Sequence, residues 1–525
     1  MRGAESEQVR LAELVAVLSL GIDLGFDQPM EHVLRQCLIA LRFAEHRGLD
    51  EETRASVYYT AMLVNIGCHS DAHEQAKWFG DDIAFKGDKY EYGIRTLRGA
   101  VAGLRRIGSG AETRRERLRI GFEFASGGVR DMNGMIVQHA TMTRRLGQQL
   151  ELPAATIHAM ACSYEQWDGR GWPGDLSADE VPIASRIITI SEYVEVAHRT
   201  HGVEAARDLV RGRRGKQFDP ELADDFCANA DILLADLDDV ETFAAVIDAE
   251  PSLATMLGPD AFDAALLAIA DFVDLKSPYS LGHARAVAYL AETAGTALGM
   301  SPADVRTLRR AGLVHALGKL GVSNAILDKT GPLGVGERER LRMIPYLTQR
   351  MLRQSSALAP LGSIAVQCSE RLDGSGHPGG LSGAAIGREA RVLAAADVYT
   401  SYREPRAHRE PLSAQDAAGR LRAEAKAGRL DADAVEAVLG AAGHRTSRRA
   451  AGPAGLTARE VDVLRLIARG LSTRDVAERL VISRKTAGNH VEHIYAKIGC
   501  SNRAGAALFA TQHGLLVGEE TVPTQ

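Results

Sequence analysis

Arg484, Lys485, Thr486, Asn489 and His490 fall within seven consecutive residues near the C-terminus. Their side chains combine two chemistries: cationic groups neutralise phosphates, and Arg, Asn, Thr and His edges can hydrogen-bond to bases. Lys497 adds a further cation at the far end of the same segment. Such a set reads DNA only if a helix presents its first two turns outward, and the local sequence supplies that helix. Ser483 is an N-cap residue, Val491, Ile494 and Ile498 recur at helical spacing, and Gly499 closes the run. Upstream, Ser472 or Thr473 caps a short helix over 475–480. Thr457 and Glu460 form a capping box ahead of Val461, Leu464, Ile467 and Ala468, which end at Gly470. A short helix, a tight turn and a longer helix is the layout of a helix-turn-helix. Residues 456–512 hold nine Lys/Arg against five acids, a net of +4, whereas the whole chain is −6 and the remainder therefore −10. A basic end on an acidic body points to nucleic acid at that end alone.

The chain has 525 residues, enough for three or more domains with their own cores. No apolar run approaches the ~20 residues needed to span a bilayer, and the N-terminus lacks a signal-peptide pattern. The six cysteines, Cys37, Cys68, Cys162, Cys227, Cys368 and Cys500, show no zinc-type spacing. They read as reduced thiols of a cytoplasmic protein.

The acidic body repeats itself. Glu165-x-x-Asp168-Gly169-x-Gly171-x-Pro173 recurs as Glu370-x-x-Asp373-Gly374-x-Gly376-x-Pro378, an offset of 205 that also relates Arg186 to Arg391 and Glu192 to Asp397. Earlier in each copy the offset is 251: His32 maps to His283, Gly48 to Gly299 and Gly67 to Gly318. Copy one therefore carries 46 extra residues, placed within about 69–137. Apolar residues recur at three and four over 284–298, 305–317 and 341–352, and alternating β-branched runs are few. The expected fold is all-α: copy one over 1–250, copy two over 251–443, a flexible basic linker over 444–455 and the helix-turn-helix over 456–525. His69, Asp71 and His73 have too short a spacing for a metal cluster and read as a polar helix start. Asp271, Asp274 and Lys276 read as surface and capping residues, and Trp167 and Trp172 as packing around a glycine turn.

Two resemblances follow from these residues. Leu456-Thr457-x-Arg459-Glu460, Gly470-Leu471-Ser472, Ile482-Ser483, Lys485-Thr486, His490, Ile494, Lys497 and Asn502-Arg503 resemble the LuxR/NarL-type helix-turn-helix of bacterial transcription regulators, with Ala487 where that family usually carries Val. The resemblance implies binding of double-stranded DNA as a homodimer, through the helix after Arg503. The body resembles the HD-GYP branch of the HD phosphohydrolases, on 277–288, 314–327, 368–381 and 390–401 of copy two and on 62–68, 165–176 and 184–196 of copy one. That family is all-α, binds two or three ions of iron or manganese and hydrolyses cyclic di-GMP.

The ligand pattern implied is a His, a His-Asp pair, a third His, a His-His pair and a final Asp. Copy two keeps His283, His315 and Asp397. Ala316, Ile344 and Cys368-Ser369 replace the rest, so the bridging carboxylate is lost. Copy one keeps His32 and, aligned with Ile344, His139. Val64-Asn65, Ser163-Tyr164 and Glu192 replace the others. Without the bridging Asp, two dications lack their shared anion. One divalent metal on His283, His315 and Asp397 is what remains chemically open. Lys319 could contact a phosphate there or stand at an exposed helix end. The expectation is a cytoplasmic DNA-binding regulator whose degenerate repeats act as a non-catalytic sensor and dimerisation module, with no resident cofactor and with a nucleotide or other small molecule as effector. The alternatives are a metal-dependent phosphohydrolase coupled to DNA binding and a purely structural assembly.

Overall fold

In each copy a buried aspartate at the end of one helix braces the chain as it turns into the helix bearing the first histidine. Asp23, in Leu11–Gly25, accepts from Glu31 N at 2.8 Å and Val33 N at 3.0 Å. Asp274, in Pro259–Asp274, accepts from Ala284 N at 2.9 Å. Both pairs obey the offset of 251. Asp271, Asp274 and Lys276 are each only 1% exposed, so the surface expectation for them is corrected. Their polarity serves buried turns and an ion pair, Asp271 binding Arg285 through both carboxylate oxygens.

The computed structural model describes residues 9–92, 97–111, 113–251, 255–443 and 453–516. Residues 444–452 of the expected linker lie outside this set. Among the described residues sheet is confined to Val9–Arg10 paired antiparallel with Met256–Leu257; all other extended structure is isolated bridges. One unit comprises residues up to 268 with 320–325, the other 269–319 and 326 onward. This break falls later than the Glu250–Pro251 boundary suggested by the duplication. Glu250 is held in the first unit by Arg10 Nη2 at 2.6 Å and Tyr59 Oη at 2.5 Å.

The first unit centres on Leu11–Gly25, apolar on nearly every side and accordingly buried on nearly every side. His32–His46, Glu51–Leu63, Val129–Gln149, Ala154–Ala161 and Ile183–His201 complete the bundle. The extra residues of copy one fold as helices, Ala72–Phe79, Asp82–Tyr92, Leu97–Arg106 and Arg114–Glu123. Trp78, Phe79 and Met135 give them a small core, joined by Phe85, Ile107, Ile120 and Phe124.

Copy two repeats the plan with Pro259–Asp274, His283–Ala297, Pro302–Val314, Ile344–Leu352, Ala359–Ala365 and Arg388–Arg403. The apolar run over 341–352 is two helices, because Pro345 can stand only in a first turn and forces a restart at Ile344. The mapping of Ile344 onto His139 holds in three dimensions. A Cβ on Gly318 would overlap the Ile344 carbonyl, and one on Gly67 would overlap the His139 carbonyl. The repeated glycine loops also match. Glu165 accepts from Gly174 N and Asp175 N at 3.1 and 3.0 Å. Glu370 accepts from Gly379 N and Leu381 N at 2.6 and 2.9 Å. Gly171 and Gly376 pass too close to these glutamates' own backbone to carry a side chain. The motif is a self-bracing turn, and Trp167 packs there under the Arg186 guanidinium.

The C-terminal helices are Ala458–Ala468, Thr473–Arg479, Arg484–Ile498 and Arg503–Gln512. The capping box of Thr457 and Glu460 forms, Ser472 and Ser483 cap the next two helices, and Gly499 closes the third in the left-handed region. This bundle touches the loop ahead of His283. A Cβ on Gly470 would lie 2.8 Å from Pro278 Cβ, and one on Gly282 would lie 3.7 Å from Thr511 Cγ2 and 3.8 Å from Leu516 Cβ.

Candidate functional site

His283 opens its helix, His315 follows the end of Pro302–Val314 and Asp397 lies within Arg388–Arg403. The fold brings one donor atom of each within 4.8 Å of the others, the one such group among the described residues. His283 Nε2 is 3.1 Å and His315 Nε2 3.7 Å from Asp397 Oδ1. The far ring nitrogens are both engaged. His283 Nδ1 meets Glu404 Oε2 at 2.9 Å, with Arg406 on that same oxygen at 3.1 Å, and His315 Nδ1 donates to Gly312 O at 2.7 Å. Such outer partners fix the tautomer and aim both Nε2 atoms at the centre. Thr348 supports this arrangement, accepting from Gly318 N at 2.9 Å and donating to His315 O at 3.2 Å.

Electrostatics follow from burial and pairing. Burial would raise the Asp397 carboxyl, but hydrogen bonds from His283 and His315 outweigh it and hold the group well below the carboxylate range. Burial would lower His283, yet Glu404 and Asp397 leave it raised. Lys319 is not an exposed helix-end residue. Its ammonium is buried without a hydrogen-bond partner, and burial pulls its pKa down against the opposing pull of Asp274, Asp397 and Glu404. Cys368, where the family has a histidine, is a buried thiol pushed well up by burial and by Asp397. Three donors with oriented imidazoles fit one divalent ion. Ala316 supplies no bridge for a second.

Copy one has been rebuilt around a different cation. Lys89 Nζ, from the inserted helix Asp82–Tyr92, lies 2.6 Å from Glu192 Oε1 and 3.0 Å from Asn65 Oδ1. These two residues occupy the final-Asp and His-Asp positions. Asn65 Nδ2 reaches the same Glu192 oxygen at 2.6 Å, and Tyr90 Oη reaches it at 3.0 Å. Tyr90 also meets His32 Nε2 at 3.3 Å, while His32 Nδ1 is bonded to Glu195. Burial favours a neutral Glu192, but Lys89 and Asn65 overcome it and keep the carboxyl below its ordinary range. An ammonium therefore stands where a metal would be held. No sequence signal pointed to Lys89 or Tyr90, because both come from the insertion and have no counterpart in copy two.

The residues that the sequence assigns to DNA share one helix. Arg484, Lys485, Thr486 and Asn489 are exposed on the first two turns of Arg484–Ile498, and His490 is half-buried. Ala487 is fully buried beneath them. Lys497 is engaged elsewhere, donating to Glu460 Oε2 at 2.7 Å. Burial would raise Glu460, but Lys497 and the Thr457 backbone bring it down to about 2.

Residues 131–222 and 268–434 match the HD domain family, and residues 454–510 match the luxR family of bacterial regulatory proteins. The chain carries HD domains and a LuxR-type helix-turn-helix. The HD portion is 28% identical over 403 residues to 3'3'-cGAMP-specific phosphodiesterase 3 of Vibrio cholerae, covering 76% of this chain and 87% of that protein. A crystal structure of a cyclic GMP-AMP specific phosphodiesterase of V. cholerae superposes with a TM-score of 0.58 at 24% identity, over 83% of this chain and 98% of that one, and shares the fold. The C-terminal end is 42% identical over 67 residues to an HTH-type transcriptional regulator of Mycobacterium bovis, 13% of this chain and 8% of that protein. Among the described residues no helix of this HD–LuxR chain is long and apolar enough to cross a membrane.

Proposed function

We propose that the chain is a DNA-binding transcription regulator whose two HD copies form a sensory and dimerising body rather than an efficient hydrolase. The observation that carries this reading is the contrast within the molecule. The recognition helix presents Arg484, Lys485, Thr486 and Asn489 to solvent. Copy one has closed its centre around Lys89, and copy two keeps three donors without a bridge. Effector binding in copy two would act by favouring one arrangement of the body over another. The buried, unpartnered ammonium of Lys319 supports an anionic effector of the phosphate class. The test is salt-dependent binding of double-stranded DNA by fluorescence anisotropy. An Arg484→Ala/Lys485→Ala variant should lose about 1–3 kcal/mol of binding per base-contacting residue and flatten the salt slope. Unchanged affinity removes the assignment.

A second reading rests on the convergence of His283, His315 and Asp397. These residues would hold one divalent ion, which supplies Lewis acidity toward a phosphodiester. His283 and His315 hold their Nε2 atoms inward, Glu404 orients His283, and Lys319 would neutralise a phosphate oxygen. Manganese-dependent turnover of a cyclic dinucleotide that disappears in His315→Ala would favour this reading over the first.

A further inference from the structure

Beside the Lys89 network lies a cluster that neither DNA binding nor metal binding uses. Cys68 occupies the position that Lys319 holds in copy two, at the offset of 251. Its Sγ is 3.4 Å from His139 Nδ1 and 2.9 Å from Tyr164 Oη. The opposite ring nitrogen, His139 Nε2, lies 2.6 Å from Asp71 Oδ2. A thiol, an imidazole and a carboxylate thus stand in series, drawn from the 3-10 turn Ile66–His69, the helix Val129–Gln149 and the residue ahead of Ala72–Phe79.

We propose that Cys68 is a site of oxidation by hydrogen peroxide, its sulfur set against the His139 imidazole, whose opposite nitrogen faces Asp71. Burial alone would raise the Cys68 thiol, but His139, Lys89 and Tyr164 together leave it lowered. Burial would lower His139, and Cys68 and Asp71 push it up to about 10. The other cysteines with a shift move the opposite way. Burial raises Cys37, Cys227 and Cys368, and takes Cys162 to about 11. The thiolate, not the thiol, is the nucleophile toward a peroxide, so this pairing sets Cys68 apart from those four.

The step balances within the cluster. The thiolate sulfur attacks one peroxide oxygen, an S–O bond forms and the O–O bond breaks. The departing hydroxide takes the proton of the His139 imidazolium and leaves as water. Cysteine is oxidised to the sulfenic acid, peroxide is reduced, and His139 ends neutral beside Asp71. Cys68 is 6% and His139 4% exposed, which excludes bulky reagents and suits an oxidant little larger than water. The new oxygen takes space now filled by the Tyr164 hydroxyl, which is also 2.9 Å from Asn65 Oδ1. Oxidation therefore acts on the network that holds Lys89.

The experiment treats the full-length protein with limiting hydrogen peroxide, traps sulfenic acid with a 1,3-diketone under mild denaturation, and maps adducts by mass spectrometry. Cys68 should be modified about tenfold or more ahead of Cys37 and Cys162, and Cys68→Ser should lose that adduct alone. His139→Gln, folded as judged by thermal unfolding, should slow modification of Cys68 about tenfold without changing Cys500. Modification of Cys68 no faster than that of Cys37 and Cys162 overturns the proposal, and so does a folded His139→Gln that reacts as quickly as the parent. Should His139→Gln not fold, the order of the cysteines in the parent protein decides the question by itself.

Discussion

The two HD copies keep one scaffold and treat its centre in opposite ways. Both place a histidine at the start of a helix, brace it with a buried aspartate and hold its Nδ1 with a glutamate. Those glutamates are not equivalent. Glu195 lies one turn past Glu192, whereas Glu404 lies just beyond the helix of Asp397. In copy two the donors converge on a space suited to a metal ion. In copy one the insertion delivers a lysine and a tyrosine that satisfy the remaining acceptors. The same scaffold can thus satisfy its buried acceptors from within the chain, provided the negative charge finds another cation. Burying an unpaired carboxylate would cost several kcal/mol, and the Lys89 ammonium offsets that.

The sharpest way to break this comparison is to remove each copy's lysine. Lys89→Met leaves Glu192 buried without its counter-ion and should cost about 3–5 kcal/mol by denaturant unfolding. Lys319→Met removes an ammonium without a hydrogen-bond partner and should be near neutral or stabilising. Equal costs would mean that the two lysines do the same work. Next in size, Gly67→Ala and Gly318→Ala should each cost about 1–3 kcal/mol, since each methyl meets the carbonyl of an equivalent residue. A large disparity would show that the scaffolds have diverged as far as the sites.

Metal affinity separates the copies more finely. Titration calorimetry with manganese should show Glu404→Gln weakening binding about 10–100-fold, as removal of an outer partner does, with His32→Ala leaving it unchanged. Loss of affinity in His32→Ala would place metal in copy one and sink the Lys89 reading. The smallest effect concerns acid. Glu192 and Asp397 are both depressed, so each contributes stability that is complete above its unfolded pKa and lost as pH falls through the folded one. Both copies should weaken together below about pH 4, followed by circular dichroism, and manganese should shift that loss to lower pH in copy two alone.

Much of this was legible in the sequence because it is local or periodic. The three caps of the helix-turn-helix, Gly499 and the exposed face of Arg484, Lys485, Thr486 and Asn489 follow from residues adjacent in the chain. The resemblance to HD-GYP domains picked out His283, His315 and Asp397, and the repeat set two of them opposite His32 and Glu192. What escaped depends on pairings across long separations. Asp71 reads with His69 and His73, its neighbours in sequence, whereas in the fold it faces His139. Lys89 lies over a hundred residues from Glu192. Lys497 reads as a further cation of the recognition helix, and its pairing with Glu460, two helices back, is a property of the folded bundle. Asp271, Asp274 and Lys276 read as surface residues because hydropathy cannot see that a turn is buried.

The short stretch from Ser277 to Gly282 ends at His283 and also meets Gly470, Thr511 and Leu516 of the LuxR-type bundle. Linkage gives this adjacency a reciprocal meaning. Any free energy by which an occupant of the His283 centre alters DNA affinity through that stretch must return as an equal change in the occupant's own affinity when DNA is bound. The operator would then act as an effector of the HD copy, and a DNA-loaded chain would have a different threshold for its signal than a free one.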